Sequence, residues 1–405
     1  MNRKLYIFVF LCIAMMHTCL LSAQCPSGRY LTEIFPSYTM DSVVYSTPYS
    51  LKMDIYQPLG DTLHSRPVII LAHGGSFVNG TREDDSTIIW MCHNFSKRGY
   101  VVASIDYRLD TALYTIFDSL TAINEVVEAM SDGKAAIRFF RDSGNQAAYR
   151  VDTNNIFIGG NSAGAVLYMH VAYLDSLAEC PVDIASAMAS NGGFEGNSGY
   201  VGHSSKAKAV IDLAGALNST EFVGVGDIPS VNAQGDADLV VPYTCGYPNL
   251  GLYVPVTLCG LGSLEPAYDA KGIYHFSHVF PGASHCPWAS DTTGTDFRIV
   301  DSLTTQFLYN LVCTSLPTNV NFAPAAVETT LFPNPAQNLV TIQSSAMIRE
   351  INVVDNTGRI IIEGANSSNN NFELNTSRLS AGIYFVKINF HNSSIAPIVR
   401  KLVIE

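Results

Sequence analysis

The sequence predicts an α/β fold with a mostly parallel sheet, followed by a small all-β sandwich. Two observations carry this. Short apolar runs alternate with helical stretches through residues 26–313, and from residue 328 onward the chain reads as strands alone. The length of 405 residues allows two or three domains, and 47% hydrophobic against 14% charged residues rules out a mostly disordered chain.

The runs justify the sheet. Residues 68–72 (VIILA), 101–105 (VVASI), 156–160 (IFIGG) and 209–213 (AVIDL) are short and almost wholly apolar, with 230–234 and 275–280 as fifth and sixth. Runs of this kind read as strands buried on both faces, which is the habit of parallel sheets. Between the second and third, Ile123, Val126, Val127, Met130, Ile137 and Phe140 recur at helical spacing, giving one buried stripe. AGAVLYMHVAYL after Ser162 reads as a helix apolar all round, hence buried. Strands alternating with helices give a sheet covered on both sides, with chemistry expected at the C-terminal ends of its strands. Residues 175–207, rich in Gly, Ser and Asn, are an insertion: either a lid or pocket wall, or a surface excursion.

The N-terminus joins Arg3 and Lys4 to an apolar stretch over residues 5–16 and small residues at 22–23. That is the pattern of a cleaved secretory signal over residues 1–23, with an uncleaved membrane anchor as the alternative. His17 and Thr18 make the stretch short for a span, and Gln24 before Cys25 argues against a lipoprotein. With 35 acidic and 23 basic residues the net charge is −12, which excludes nucleic acid as a partner. Removing the signal takes away two further positive charges.

Seven cysteines lie beyond the signal: Cys25, Cys92, Cys180, Cys245, Cys259, Cys286 and Cys313. No CxxC pair suggests zinc, no other cofactor is implied, and the odd number leaves at least one thiol unpaired. A Cys245–Cys259 bridge is expected, closing a loop between two core elements.

The chemistry-bearing residues follow the strands. Gly160-Asn161-Ser162-Ala163-Gly164 fits G-x-S-x-G between a strand and a helix, with Ser162 as nucleophile. Side chains at 160 and 164 would collide with neighbouring backbone, and the helix N-terminus faces a developing anion. After the first run stands His73-Gly74-Gly75-Ser76, a glycine-rich loop of the kind an oxyanion hole needs. A hydroxyl needs a base, and the base needs an acid to orient it. His285, in the turn PGASH after the sixth run, is the base; His170, His203, His275, His278 and His391 sit in less suitable places. Asp238, in QGDADLVVPY, is the acid, with Asp236 as rival, whose other role is to bond the loop backbone.

These motifs, in this order, resemble the α/β-hydrolase superfamily, closest to its carboxylesterase and hormone-sensitive-lipase-like branch, over about residues 40–312. RGYVV at 98–102, DYR at 106–108 and AAIR at 135–138 belong to the same likeness. The resemblance implies an α/β-hydrolase fold and hydrolysis of carboxylic esters through an acyl-enzyme. It also implies oxyanion donors from the backbone N–H groups of Gly75, Ser76 and Ala163, with Gly74 letting the loop turn. Ser76 stands where the HGGG-type loop has a third glycine. Alternatives are a serine peptidase of the same fold, and a non-catalytic surface binding protein on a hydrolase scaffold. FPNPAQN, VVDNTGRII and LSAGIYFVKI near the C-terminus are similar to the C-terminal sorting domain of the type IX secretion system. That likeness implies secretion machinery as partner, and a secreted or cell-surface location. The expected organisation is a signal over 1–23, a catalytic domain over 24–313, a linker over 314–327 and a sorting domain over 328–405. No later stretch is apolar and long enough to cross a bilayer, so no span is expected in the mature chain.

Overall fold

The computed structural model describes residue 25 and residues 28–110, 112, 115–313, 329–344, 347–355, 359–366, 370–390 and 398–405. The expected signal (1–23), linker (314–327) and turn residues 356–358 lie outside them. The chain divides into two compact units, Met1–Thr318 and Asn319–Glu405.

In the first unit the elements run β1 (Tyr38–Ser46), β2 (Leu51–Pro58), β3 (Arg66–Ala72), α1 (Ser86–Lys97), β4 (Val101–Ile105), α2 (Ser119–Arg141), α3 (Ser143–Tyr149) and β5 (Val151–Asn161). They continue α4 (Ala163–Tyr173), α5 (Val182–Ser190), β6 (Ala209–Leu213), β7 (Ser230–Gly235), α6 (Leu261–Lys271), β8 (His275–Phe280) and α7 (Thr295–Cys313). The sheet order is β1-β2-β4-β3-β5-β6-β7-β8. From β4 to β8 every pairing is parallel. The β1–β2 hairpin, which the sequence pattern does not announce, adds two antiparallel strands at one edge. Its outer strand is mostly solvent-facing, so it carries no long apolar run.

Strand β3 explains the two-sided core. All seven of its residues are buried. Val68, Ile70 and Ala72 pack with α2, α4 and α6, while Ile69 and Leu71 pack with α1 and α7. This is the period-two alternation of a strand with helices on both faces. The insertion does not swing free. α5 packs on α2, and residues after it are held by α2 cations: Arg138 donates to the carbonyls of Glu195 and Gly199, and Lys134 to that of Phe194. Arg108 and Asp132 also hold the Ser198 hydroxyl.

The second unit has a three-stranded sheet, β13-β10-β9, and a four-stranded sheet, β12-β11-β14-β15, antiparallel throughout. Here β9 is Thr329–Phe332, β10 Leu339–Ser344, β11 Ile348–Asp355, β12 Ile360–Asn366, β13 Asn371–Asn375, β14 Gly382–Phe390 and β15 Ile398–Ile404. Val340 and Ile342 from one sheet share a core with Ile351, Val353 and Val386 from the other, so the sheets form a sandwich.

Among the described residues two disulfides are present. Cys245–Cys259 is the expected one; Cys25–Cys313, between residues 288 apart, joins the two ends of the first unit's described chain. Cys92, Cys180 and Cys286 are free.

The double substitution Cys25→Ser/Cys313→Ser is expected to lower unfolding free energy by about 2–5 kcal/mol through the long loop it reopens. Denaturant titration under oxidising conditions checks this; an unchanged midpoint refutes it. A second prediction concerns Glu125, buried on α2. Burial pushes its carboxyl up to about 8, and the neighbouring charges of Asp110 and Glu128 add to the rise. The folded chain therefore keeps a proton that the unfolded chain releases, and stability falls as pH rises from about 4.5 to about 8. Glu125→Gln removes that slope, so its Tm gains on the wild type as pH increases through this window. A constant gap in Tm would refute it.

Candidate active site

Strand β5 ends at Asn161 and α4 starts at Ala163, which leaves Ser162 alone at the junction with φ 55° and ψ −119°. A residue with a Cβ is strained there by about 1–3 kcal/mol. Its surroundings enforce the turn. A Cβ on Gly160 would lie 2.4 Å from the Gly164 carbonyl carbon, and one on Gly164 would lie 2.1 Å from the Ala72 oxygen. Strand and helix thus approach more closely than any side chain permits. The Ser162 N–H donates to the Leu213 carbonyl at 2.8 Å, tying the turn to β6.

Loops from the ends of β7 and β8 meet this serine. His285 Nε2 lies 2.8 Å from Ser162 Oγ, and His285 Nδ1 lies 2.7 Å from Asp238 Oδ2. The Asp238 side chain is fully buried, and its Oδ1 accepts the N–H groups of Val240 and Val241. Asp236 is exposed and accepts the Gly282 N–H, which pins the β7 loop to the β8 loop. The structure therefore brings Asp238, and not Asp236, against the histidine.

The loop after β3 runs alongside. A Cβ on Gly74 would lie 3.4 Å from that of Ser162. The Gly74 N–H is engaged, donating to Asp85 Oδ2 at 3.0 Å. Gly75 has φ 121°, and a Cβ there would lie 2.0 Å from the Asn79 oxygen, so only glycine fits. Ser76 and Phe77 also have positive φ, 57° and 63°. Among the described residues nothing accepts the N–H of Gly75 or Ser76. Ala163 is the first residue of α4, and its N–H has no partner within the helix. His73 is structural. Its Nδ1 lies 2.6 Å from the Gly74 carbonyl, its ring stacks on Tyr107 at 4.4 Å, and burial holds its pKa below the usual range. Among the described residues no cluster of His, Cys, Asp and Glu is arranged to hold a metal ion.

Sequence reasoning passed over the residues that bind these loops together. Asp85 caps α1, accepting the N–H groups of Thr87 and Ile88 on Oδ1. Its Oδ2 accepts Gly74 N–H and the Asn161 amide. Asn161 Oδ1 in turn accepts Trp288 Nε1–H at 3.2 Å and the Cys286 thiol at 3.3 Å. The loop after β3, the serine turn and the histidine loop are thereby joined. An Asp immediately before an apolar helical run was the available signal, since it marks an N-cap.

A cavity opens beside Ser162. Ser76 and Ala163 line it near the serine, and α2 supplies Ile123, Val126 and Met130. From the insertion only Ile184 reaches it.

Residues 53–240 match the BD-FAE family, an esterase family of α/β-hydrolases, and residues 330–405 match the Secretion system C-terminal sorting domain. No curated protein matches the chain. Among solved structures it is similar to a thermophilic esterase of the planctomycete Thermogutta terrifontis, Est2, in its butyrate-bound form. The identity is 20%, with 69% of this chain and 96% of that chain covered, at a TM-score of 0.50. Esterase 2 of the same organism, phosphorylated by paraoxon, is 20% identical over 68% of this chain and 95% of that chain, with a TM-score of 0.49. No helix among the described residues is long and apolar enough to cross a membrane. The chain joins an α/β-hydrolase unit carrying a BD-FAE domain to a C-terminal sorting domain of the type IX secretion system.

Proposed function

We propose that this protein is an exported serine hydrolase of carboxylic esters, working through an acyl-enzyme. The observation that carries the reading is the unbroken relay from Ser162 Oγ through both ring nitrogens of His285 to a buried Asp238. In the reaction Ser162 Oγ attacks the ester carbonyl carbon while its proton passes to His285 Nε2. Asp238 holds the ring and balances the positive charge that forms on it. The developing oxyanion takes hydrogen bonds from the N–H groups of Gly75, Ser76 and Ala163. Gly74 gives the loop its turn and, through Asp85, its anchorage. His285 then returns its proton to the departing alcohol. Water attacks the acyl-serine, its proton passes by His285 back to Ser162, and a carboxylic acid leaves.

The BD-FAE match supports an ester as substrate, as does the butyrate held by the structural neighbour, itself an esterase. The sorting domain supports export, with residues 1–23 removed on the way and the secretion machinery as partner. The catalytic domain spans residues 24–313, joined by a linker over 314–327 to the sorting domain.

Hydrolysis of a chromogenic short-acyl ester tests the reading. Ser162→Ala is expected to lower kcat by about four to six orders of magnitude; equal, slow rates for mutant and wild type refute the proposal. Asp238→Asn is expected to lose about 10⁴-fold, far more than Asp236→Asn, and the opposite ranking refutes the assignment of the acid. Asp85→Ala is expected to lower kcat by about 10²-fold with little change in KM, because it displaces the oxyanion loop without touching substrate. Partial recovery in Asp85→Asn, which keeps an acceptor, separates this from a loss of folding. An unchanged kcat would show that the network does not position the site.

A further inference from the structure

The far side of the cavity comes from one segment. Pro248, Leu250, Val254, Val256 and Leu258 all line it, and all lie between Cys245 and Cys259. The segment is thin. Leu252 and Tyr253 face solvent at 63% and 67% exposure, while neighbouring Val254 is buried at 5%. Its backbone bonds are largely its own: Gly246 and Leu258 pair in both directions, and the Val254 N–H donates to the Pro248 carbonyl. Its ties elsewhere are few. Cys259 pairs with Leu217, Cys245 N–H donates to Ser263 Oγ, Asn249 N–H reaches the Leu239 and Val240 carbonyls, the Asn218 amide donates to the Thr257 carbonyl, and Val254 packs with Val78, Ile116 and Ala122. The disulfide closes this loop at its base.

The cavity lining is mostly aliphatic, with the rings of Phe77 and His170 and no acidic or Lys/Arg side chain. Away from Ser162 and Ser76 its polar members are His170 and Asn218. Both His170 nitrogens are engaged, on the Val166 carbonyl and the Asn218 N–H, and burial lowers the pKa of the ring. Such a site favours an apolar chain and offers a charged group no partner.

We propose that this cavity is the acyl-binding site of the reaction proposed above, on which the inference rests. It takes an aliphatic acyl chain, and the loop closed by Cys245–Cys259 is the wall that sets chain-length selectivity. Each methylene buried against an apolar wall contributes up to about a fourfold gain in kcat/KM. Apart from its packing on Val78, Ile116 and Ala122, the wall has few hydrogen bonds to the rest of the unit, so opening the disulfide loosens the surface that makes those contacts.

The test is an acyl series, acetyl through octanoyl, on one chromogenic alcohol, with a matching alcohol series on acetate. For the wild type, kcat/KM is expected to rise by up to about fourfold per methylene along the acyl series and to stay flat along the alcohol series. Val254→Trp, which fills the cavity, is expected to lower the octanoyl-to-acetyl ratio at least about tenfold; Cys245→Ser/Cys259→Ser is expected to flatten the acyl series. Melting curves on each variant monitor folding. A second readout needs no turnover: octanoic acid is expected to raise the Tm of Ser162→Ala but not of Ser162→Ala/Val254→Trp. A flat acyl series in an active wild type, a rise along the alcohol series instead, or a double-serine variant with wild-type selectivity overturns the inference and leaves the ester hydrolase reading standing. No Ser162-dependent hydrolysis of any ester overturns that reading and, with it, the acyl role of the cavity.

Discussion

The constraint on which the site depends is a single half-buried carboxylate. Asp85 accepts four N–H groups, two from the first turn of α1, one from Gly74 and one from the Asn161 side chain. Loops leaving the C-terminal edge of a parallel sheet have no ladder bonds to hold them. Here three of them, far apart in sequence, share one acceptor and the asparagine attached to it. Asn161 is the last residue of β5 and passes the connection to Trp288 and Cys286, beside His285. The Ser162 turn, the glycine-rich loop after β3 and the loop carrying His285 are thereby set relative to one another. Preorganisation of this kind makes fixed dipoles effective on a developing charge.

The inserted segment uses a complementary device. Its irregular backbone leaves carbonyl oxygens without regular partners, and α2 supplies cations to them. Arg138 and Arg141 each reach two such carbonyls, and Lys134 reaches one. Burial pulls the Lys134 ammonium down to about 8, the electrostatic consequence of lending a charge to a loop interior. A helix that presents an apolar stripe to the sheet thus also carries buried charge, and it serves two neighbours at once.

The parallel strands were legible because burial on both faces forces an unbroken apolar run, as in residues 68–72. The serine turn was legible because its glycines answer a steric demand that no other residue can meet. The β1–β2 hairpin was not, because a solvent-facing edge strand has no such run. Cys245–Cys259 could be expected from a short separation between two core elements, whereas Cys25–Cys313 depends on where the ends of a folded unit meet. The roles of Asp85 and Asn161 were hidden for a related reason. A cap is a local signal, but the second pair of bonds to Asp85 comes from residues that only the tertiary fold brings near. The cavity wall was hidden too, since Pro248 to Leu258 have no helical or strand period to announce an inward face.

The Cys25–Cys313 bond has a mechanical consequence. A pull on the chain beyond residue 313 arrives at the last residue of α7. Without a crosslink that load would peel α7 from the sheet turn by turn, starting at Leu311 and Leu308, which are buried against the core. With the crosslink the load passes first into a covalent bond and is shared by both ends of the unit. A pull on the tail then no longer begins by unravelling the helix that closes the unit.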